Sequence, residues 1–395
     1  MDIQLAKRVQ GLKPSPTLAV TARAKALKAA GKDIIGLGAG EPDFDTPDPI
    51  KEAAIQAIRD GFTKYTAVDG TPELKQAIVD KFARDNGLSY DLDQVLVSCG
   101  GKHSFYNLAQ AWLNPGDEAI IPAPYWVSYP PMVELAGAEA VIVPCGMDNG
   151  FKMTPEQLTR AITQKTRLVV LNSPSNPTGV VYSRDELAAL GEVLAKHPNL
   201  LVVSDDIYES IVWGADPCTN ILSVCPDLYD QTMVLNGVSK TYSMTGWRIG
   251  YAAGPARLIS AMKSIQSQST SNPASISQVA ATEAIRGDQS LITRMISTFK
   301  ERHDVVRDRL NGIKGVDCLP AQGAFYLFPS FQGVIDRLDG IGDDVELAEH
   351  LLEQAGVALV PGSAFGAPGH MRLSFATSMD NLVTAMERLE GLLNG

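Results

Sequence analysis

The stretch Leu168-Val169-Val170-Leu171-Asn172-Ser173-Pro174-Ser175-Asn176-Pro177-Thr178-Gly179 decides the fold class. A four-residue apolar run closes on prolines, polar turn formers and a glycine, which reads as a buried strand ending in a rigid turn. An amphipathic segment over residues 184–196 follows. A second run, Leu201-Val202-Val203, then ends in Ser204-Asp205-Asp206-Ile207-Tyr208-Glu209. Strand, turn, helix and strand in that order form the repeating unit of a parallel sheet.

The same alternation extends outward to Val95-Leu96-Val97, Ala119-Ile120-Ile121 and Ala140-Val141-Ile142-Val143, with a further helical pattern over residues 72–86. It predicts an α/β fold: a large domain whose mostly parallel sheet is flanked by helices, with ligands gathered beyond the carboxyl ends of the strands. From about residue 275 the pattern changes to helical segments over 275–285 and 289–310, strand-like pieces at 324–328 and 371–375, and a last helix over 379–393. That section reads as a smaller α+β domain. The opening residues precede the alternation and are rich in turn signals, so they are assigned to it as well. The expected division is 1–44 (arm and part of the small domain), 45–284 (large domain) and 285–395 (small domain).

At 395 residues and 45% hydrophobic the chain can bury a large core. A formal net charge of -11 argues against nucleic acid or an anionic membrane as partner, because either needs a basic face. The five cysteines show no CxxC pair and the five histidines no ligand spacing, so neither a metal site nor a disulfide framework is expected. No apolar stretch approaches the length of a membrane span and the N-terminus has no signal-peptide core, which reads as a cytoplasmic protein.

Chemistry concentrates around Lys240. It follows the apolar run Thr232-Met233-Val234-Leu235 and precedes Arg248-Ile249-Gly250-Tyr251-Ala252-Ala253, so it is expected on the turn between two buried strands, with Arg248 on the second. A lysine amine among cationic or apolar neighbours has a lowered pKa and forms a Schiff base with an aldehyde. An arginine beside it suits a phosphate. Together they point to pyridoxal phosphate.

Three further turns end strands. Ser98-Cys99-Gly100-Gly101-Lys102 opens a helix, where free N–H groups and the helix dipole attract phosphate. It is no Walker A loop, since Leu96 stands where the first glycine is required. Asp205 reads either as a helix N-cap or as the carboxylate that keeps a pyridine nitrogen protonated. Tyr208 and Asn176 can both hydrogen-bond a ring phenolate, or serve as turn and core residues. Their joint occurrence with Lys240 and Arg248, in this order, favours the chemical reading.

With these motifs the chain resembles the class I aminotransferases of fold type I, pyridoxal-phosphate enzymes that include the aspartate aminotransferases. The resemblance runs almost end to end, from Lys13-Pro14-Ser15 through Gly38-Ala39-Gly40-Glu41-Pro42-Asp43-Phe44 to Met371-Arg372-Leu373-Ser374. It implies that Lys240 carries the Schiff base, Asp205 pairs with the pyridine nitrogen, and Tyr208 and Asn176 bond the ring oxygen. It further implies that Trp126 stacks on the ring, with Arg248, Ser239, Gly100, Gly101, Lys102 and a partner subunit's Tyr65 around the phosphate. Arg372 and Gly40 would hold the substrate α-carboxylate, alongside Trp126 and Asn176, and a site completed by both subunits makes a homodimer the expected minimum.

One position departs from the commoner family pattern: Gly237 stands three residues before the lysine, where many relatives carry a phosphate-binding serine. Ser239, or Ser269 and Thr270 from a neighbouring chain, are the expected replacements. Lys102 resembles the lysine that meets a distal carboxylate in a bacterial aspartate aminotransferase subgroup; its plainer reading is a solvated first-turn lysine. That subgroup includes enzymes that also transaminate prephenate, whose pattern the segment Ser15-Pro16-Thr17 shares, with Thr17 a candidate substrate contact. The resemblance therefore implies ping-pong transamination between aspartate or glutamate and 2-oxoglutarate or oxaloacetate, with prephenate to arogenate as a second activity. The alternative is another pyridoxal-phosphate reaction on the same fold, an aromatic or kynurenine aminotransferase or a C–S lyase.

Overall fold

The computed structural model describes residues 3–12, 16–214 and 218–394; within these, nothing is described of the side chains of residues 16–18, 21 and 291. Lys13, Pro14 and Ser15 lie outside the described residues, as does the side chain of Thr17.

A two-residue strand, β1 (Ile35–Gly36), precedes the main sheet. That sheet contains β2 (Val95–Ser98), β3 (Glu118–Ala123), β4 (Glu139–Pro144), β5 (Thr166–Asn172), β6 (Leu201–Asp205), β7 (Thr232–Gly237) and β8 (Gly250–Ala253), in the spatial order β2-β8-β7-β6-β5-β3-β4. All pairings are parallel except those of β8, which runs antiparallel to both β7 and β2. The central strands read as unbroken apolar runs because both of their faces are covered. Val169 and Leu171 enter the core on one face, and Leu168 and Val170 the core on the other. Each such side chain contributes about 1.5–3 kcal/mol on burial.

Helix starts follow local capping chemistry. Ser183 and Glu186 form a reciprocal capping box at the helix Arg184–Leu194, and Thr71 accepts from the Leu74 N–H ahead of Pro72–Lys81. A third core gathers Phe299, Phe325, Tyr326, Phe331 and Phe375. It lies among the helix Ser290–Leu310, the strands β9 (Tyr326–Leu327), β10 (Val357–Ala358), β11 (Val360–Pro361) and β12 (Met371–Ser374), and the helix Met379–Leu393. β1 joins this part by pairing with β10.

The structure corrects several sequence expectations. The strand expected from Arg248 begins only at Gly250; Arg248 itself occupies a left-handed turn with φ 57°, which aims its side chain along the cleft floor. The turn-rich opening segment contains the helix Pro16–Ala29. The strand expected over 324–328 shrinks to Tyr326–Leu327, because Ala324 takes a positive φ of 59° that a strand excludes. The single helix expected over 72–86 divides into an α-helix to Lys81 and a π turn, Phe82–Asn86.

Candidate active site

The carboxyl ends of the parallel strands converge on one cleft of about 390 Å³. This is where an open α/β sheet gathers its ligands. Lys240 stands on the turn after β7, and its Nζ donates to the Gly40 carbonyl at 2.6 Å. It lies 6.0 Å from the ring centres of both Tyr208 and Phe325. Burial lowers the Lys240 amine to about 8; Arg372 and Arg248 push the same way, while Glu41 and Asp205 oppose.

Asp205 ends β6 and is buried, accepting from the Tyr129 hydroxyl and from the Ile207 N–H at 3.3 Å. Burial pushes its carboxyl up to about 6, against those hydrogen bonds and the charge of Lys240. Asn172, at the end of β5, ties the neighbouring turns together. Its Nδ2 donates to the Asp205 carbonyl at 2.9 Å, and its Oδ1 accepts from the Asn176 N–H at 2.9 Å. The Tyr208 hydroxyl pairs with that of Tyr326 at 2.9 Å.

Arg248 reaches along the cleft floor, its guanidinium donating to the carbonyls of Thr245 at 2.7 Å and Cys99 at 3.3 Å. It passes so close to the glycine turn that a Cβ on Gly100, whose φ is 92°, would lie 2.3 Å from Nη2. A Cβ on Gly250 would lie 2.2 Å from the Gly101 nitrogen. Glycine at both positions therefore lets the N-terminus of the helix Gly101–Trp112 and the guanidinium meet at one anion-sized place.

Arg372, on β12, is 3% exposed. Its guanidinium donates to Asn176 Oδ1 at 2.9 Å and the Gly38 carbonyl at 2.7 Å, and lies over the rings of Tyr326 and Phe365 at 4.6 and 5.0 Å. Its Nε has no partner and, among the described residues, no carboxylate pairs with it. Such a buried, uncompensated cation is costly unless an anion arrives. Across the cleft the Lys102 ammonium sits 5.2 Å above the Trp126 ring, also without a carboxylate partner among the described residues. Burial lowers its pKa, with Arg248 adding to the shift.

A match to aminotransferase class I and II spans residues 32–389. The chain belongs to that family. It is 57% identical to the aspartate/prephenate aminotransferase of Nitrosomonas europaea over 397 residues, covering 99% of this chain and 100% of that one. It is 53% identical to the aspartate aminotransferase of Geobacillus stearothermophilus, with 98% of each covered. Among solved structures, the aspartate aminotransferase of Rhizobium meliloti superimposes with a TM-score of 0.96 at 47% identity, covering 99% of each chain. That of Thermus thermophilus with maleate gives 0.94 at 43% identity, covering 99% of this chain and 100% of that one.

Members of this aminotransferase family use pyridoxal phosphate, and the residues present fit it. The cleft offers an amine of lowered pKa, a buried carboxylate, and an arginine against a helix N-terminus, all lining one space. The structure brings Lys240, Asp205, Tyr208, Asn176, Arg248, Gly101, Lys102, Trp126, Ser239, Arg372 and Gly40 into its wall, with Gly100 directly behind. Tyr65 is 91% exposed and stands outside the cleft of its own chain. Gly237 also has a structural reason: a Cβ there would lie 3.0 Å from the Gly250 Cα and 3.1 Å from the Ile249 carbonyl and the Ile207 Cδ1, so a side chain fits only if these neighbours shift by a few tenths of an ångström.

Sequence reasoning missed Tyr129, the donor to Asp205, and Tyr326, the partner of Tyr208. Tyr129 follows Trp126 by three residues, on the helix Tyr129–Leu135. Nothing in that spacing signals that the helix is turned toward the end of β6.

Proposed function

We propose that this chain exchanges amino groups between the dicarboxylic amino acids aspartate and glutamate and their 2-oxo acids, using pyridoxal phosphate, with prephenate as a further amino acceptor. The observation that carries this reading is a pair of cations, Arg372 and Lys102, that have no counter-ion among the described residues and stand in the cleft that holds Lys240. A substrate with two carboxylates satisfies both. The relatives named aspartate/prephenate aminotransferase support the choice, as does the Thermus enzyme solved with the dicarboxylate maleate.

Bound there, pyridoxal phosphate supplies an aldehyde carbon that accepts the amino group and a protonated ring that withdraws electrons from it. Arg248 and the first N–H groups of the helix Gly101–Trp112 would hold the phosphate, with Ser239 beside them. Asp205 keeps the proton on the ring nitrogen. Tyr208 and Asn176 would hold its ring oxygen, and Trp126 would pack against the ring. Arg372 grips the α-carboxylate with its fork, helped by the backbone at Gly40, and Lys102 meets the distal carboxylate. The Lys240 Nζ, neutral above about pH 8, removes the proton from the substrate Cα.

The active species is read as a cytoplasmic homodimer. The exposed Tyr65, useless to its own cleft, suits a role in the partner's, and the cysteines, free among the described residues, suit a reducing compartment. No helix among the described residues is long and apolar enough to cross a membrane. In the same reading, residues 45–284 form the large unit, with 1–44 and 285–395 forming the small one.

Absorbance tests the proposal. In the purified protein loaded with pyridoxal phosphate, aspartate is expected to bleach the visible band and 2-oxoglutarate to restore it. Glutamate with prephenate is expected to turn over as well. Lys102→Met should raise the KM for aspartate at least about tenfold while leaving that for phenylalanine nearly unchanged, because only the distal carboxylate loses its partner. A band unmoved by dicarboxylates overturns the substrate assignment.

A further inference from the structure

Behind the cleft lies a second polar cluster with no part in the chemistry described so far. Glu209, directly after Tyr208, keeps only 10% of its side chain exposed and has four polar contacts. Its Oε1 accepts from Lys81 and, at 2.7 Å, from Asn236 Nδ2; its Oε2 accepts from Asn86 Nδ2 at 2.8 Å; its N–H donates to the Asp206 carbonyl at 2.9 Å. Lys81, 5% exposed, also donates to Asn86 Oδ1 at 2.8 Å, which closes a ring of three side chains.

Two observations mark this cluster as more than a tolerated ion pair. First, the helix distorts to build it. Residues five apart in an α-helix point about 140° away from one another. The i→i+5 ladder of the π turn Phe82–Asn86 brings Lys81 and Asn86 nearly into line, so that both reach one carboxylate. Second, the cluster joins the two backbone segments that carry the chemistry. Glu209 belongs to the turn bearing Asp205 and Tyr208. Asn236 ends β7, lines the cleft, accepts from the Gly237 N–H at 2.7 Å, and leads within four residues to Lys240. A buried ion pair is a poor source of stability compared with apolar side chains of equal volume, and its best-attested use is to fix one arrangement.

We propose that Glu209 is a positioning residue: clamped by Lys81 and Asn86, it ties the Tyr208 turn to the end of β7 and so sets where the Lys240 amine stands relative to Tyr208 and Asp205. The proposal rests on the reading of the cleft given above.

Paired variants separate positioning from stability. Lys81→Met with Glu209→Gln removes both charges but keeps an amide oxygen for Asn236; Lys81→Met with Glu209→Leu removes the hydrogen bonds as well. Neither leaves a buried charge unpaired. The Gln form is expected to keep kcat within about threefold of wild type. The Leu form is expected to melt lower, because the buried Asn236 Nδ2 loses its acceptor, and at a temperature where both forms are fully folded to lose at least about tenfold in kcat, with the KM for aspartate within about twofold.

The second readout does not need the cofactor. The pH midpoint for labelling Lys240 with an amine-directed reagent in cofactor-free protein, about 8 in the wild type, should move by at least about half a unit in the Leu form only. A Leu form equal to the Gln form in kcat and labelling midpoint overturns the proposal. If either double variant fails to fold, Asn86→Ala decides, since it frees one oxygen of Glu209 from outside the cleft: a lower kcat with a moved midpoint supports the clamp, and no change in either sinks it. If the wild type itself shows no band bleached by aspartate, the functional reading fails, and the labelling midpoints still decide whether Glu209 positions Lys240.

Discussion

At the scale of single residues, the site consists of groups whose burial moves their titration away from ordinary values. Asp205 shows this most clearly: burial raises its carboxyl to about 6 from an ordinary 3.8, so the folded protein binds that proton more tightly than the unfolded chain does. The sign follows from linkage. A raised folded-state value stabilises the fold at low pH, and that contribution is lost as pH rises through about 6; at pH 8 the ionised Asp205 therefore costs stability. Asp205→Asn is expected to raise stability at pH 8 by roughly 2 kcal/mol in urea unfolding while lowering kcat at least a hundredfold. An equal or lower stability at pH 8 would refute the electrostatic account.

At the scale of elements, the cleft depends on three backbone segments approaching within contact: the glycine turn before the helix Gly101–Trp112, the end of β7, and the start of β8. Gly100 and Gly250 permit this approach because a Cβ would strike the Arg248 guanidinium or the glycine-turn backbone, and at Gly237 it would press on β8 backbone and Ile207. Gly237→Ser, which adds the hydroxyl that the family resemblance led us to expect there, is accordingly expected to destabilise the fold. Its Cβ must press on β8 backbone as well as on the Ile207 side chain, at about 1–3 kcal/mol. Pyridoxal phosphate should bind no more tightly to the variant. Thermal unfolding of the cofactor-free protein, together with titration of the cofactor, checks both expectations; a variant of unchanged stability and tighter cofactor binding would show that β8 can yield.

At the scale of the whole molecule, the cleft is made by two cores meeting. Arg372 arrives on β12 from the part that also holds Phe299 and Phe331, whereas Lys240 and Asp205 arrive on the main sheet. The segment between β1 and residue 46 bridges the two parts: Arg302 pairs with both oxygens of Asp43, at 2.7 and 2.9 Å, and Trp247 Nε1 donates to Thr46 at 2.9 Å. If a partner's Tyr65 completes each site, mixing Tyr65→Ala protein with Lys240→Ala protein creates hybrids with one site that has all its residues. Equal mixing, with half of the dimers hybrid, should approach about a quarter of wild-type activity, well above either parent. A mixture no more active than the average of its parents would rule out sharing.

The sequence alone determined the α/β class, the strand ends and the residue types set on them, because each follows from local rules: apolar runs bury, prolines and glycines end them, and a lysine flanked by two such runs must stand on a turn. It also exposed the glycine at 237, though not its cause. Only the tertiary structure decided that β8 runs antiparallel, that Tyr129 turns toward Asp205, that Tyr326 meets Tyr208, and that Lys81 and Asn86 converge on Glu209. These pairings join positions 76, 118, 128 and 123 residues apart. No local pattern encodes them, since they arise only when the close packing of the cores fixes which side chains meet.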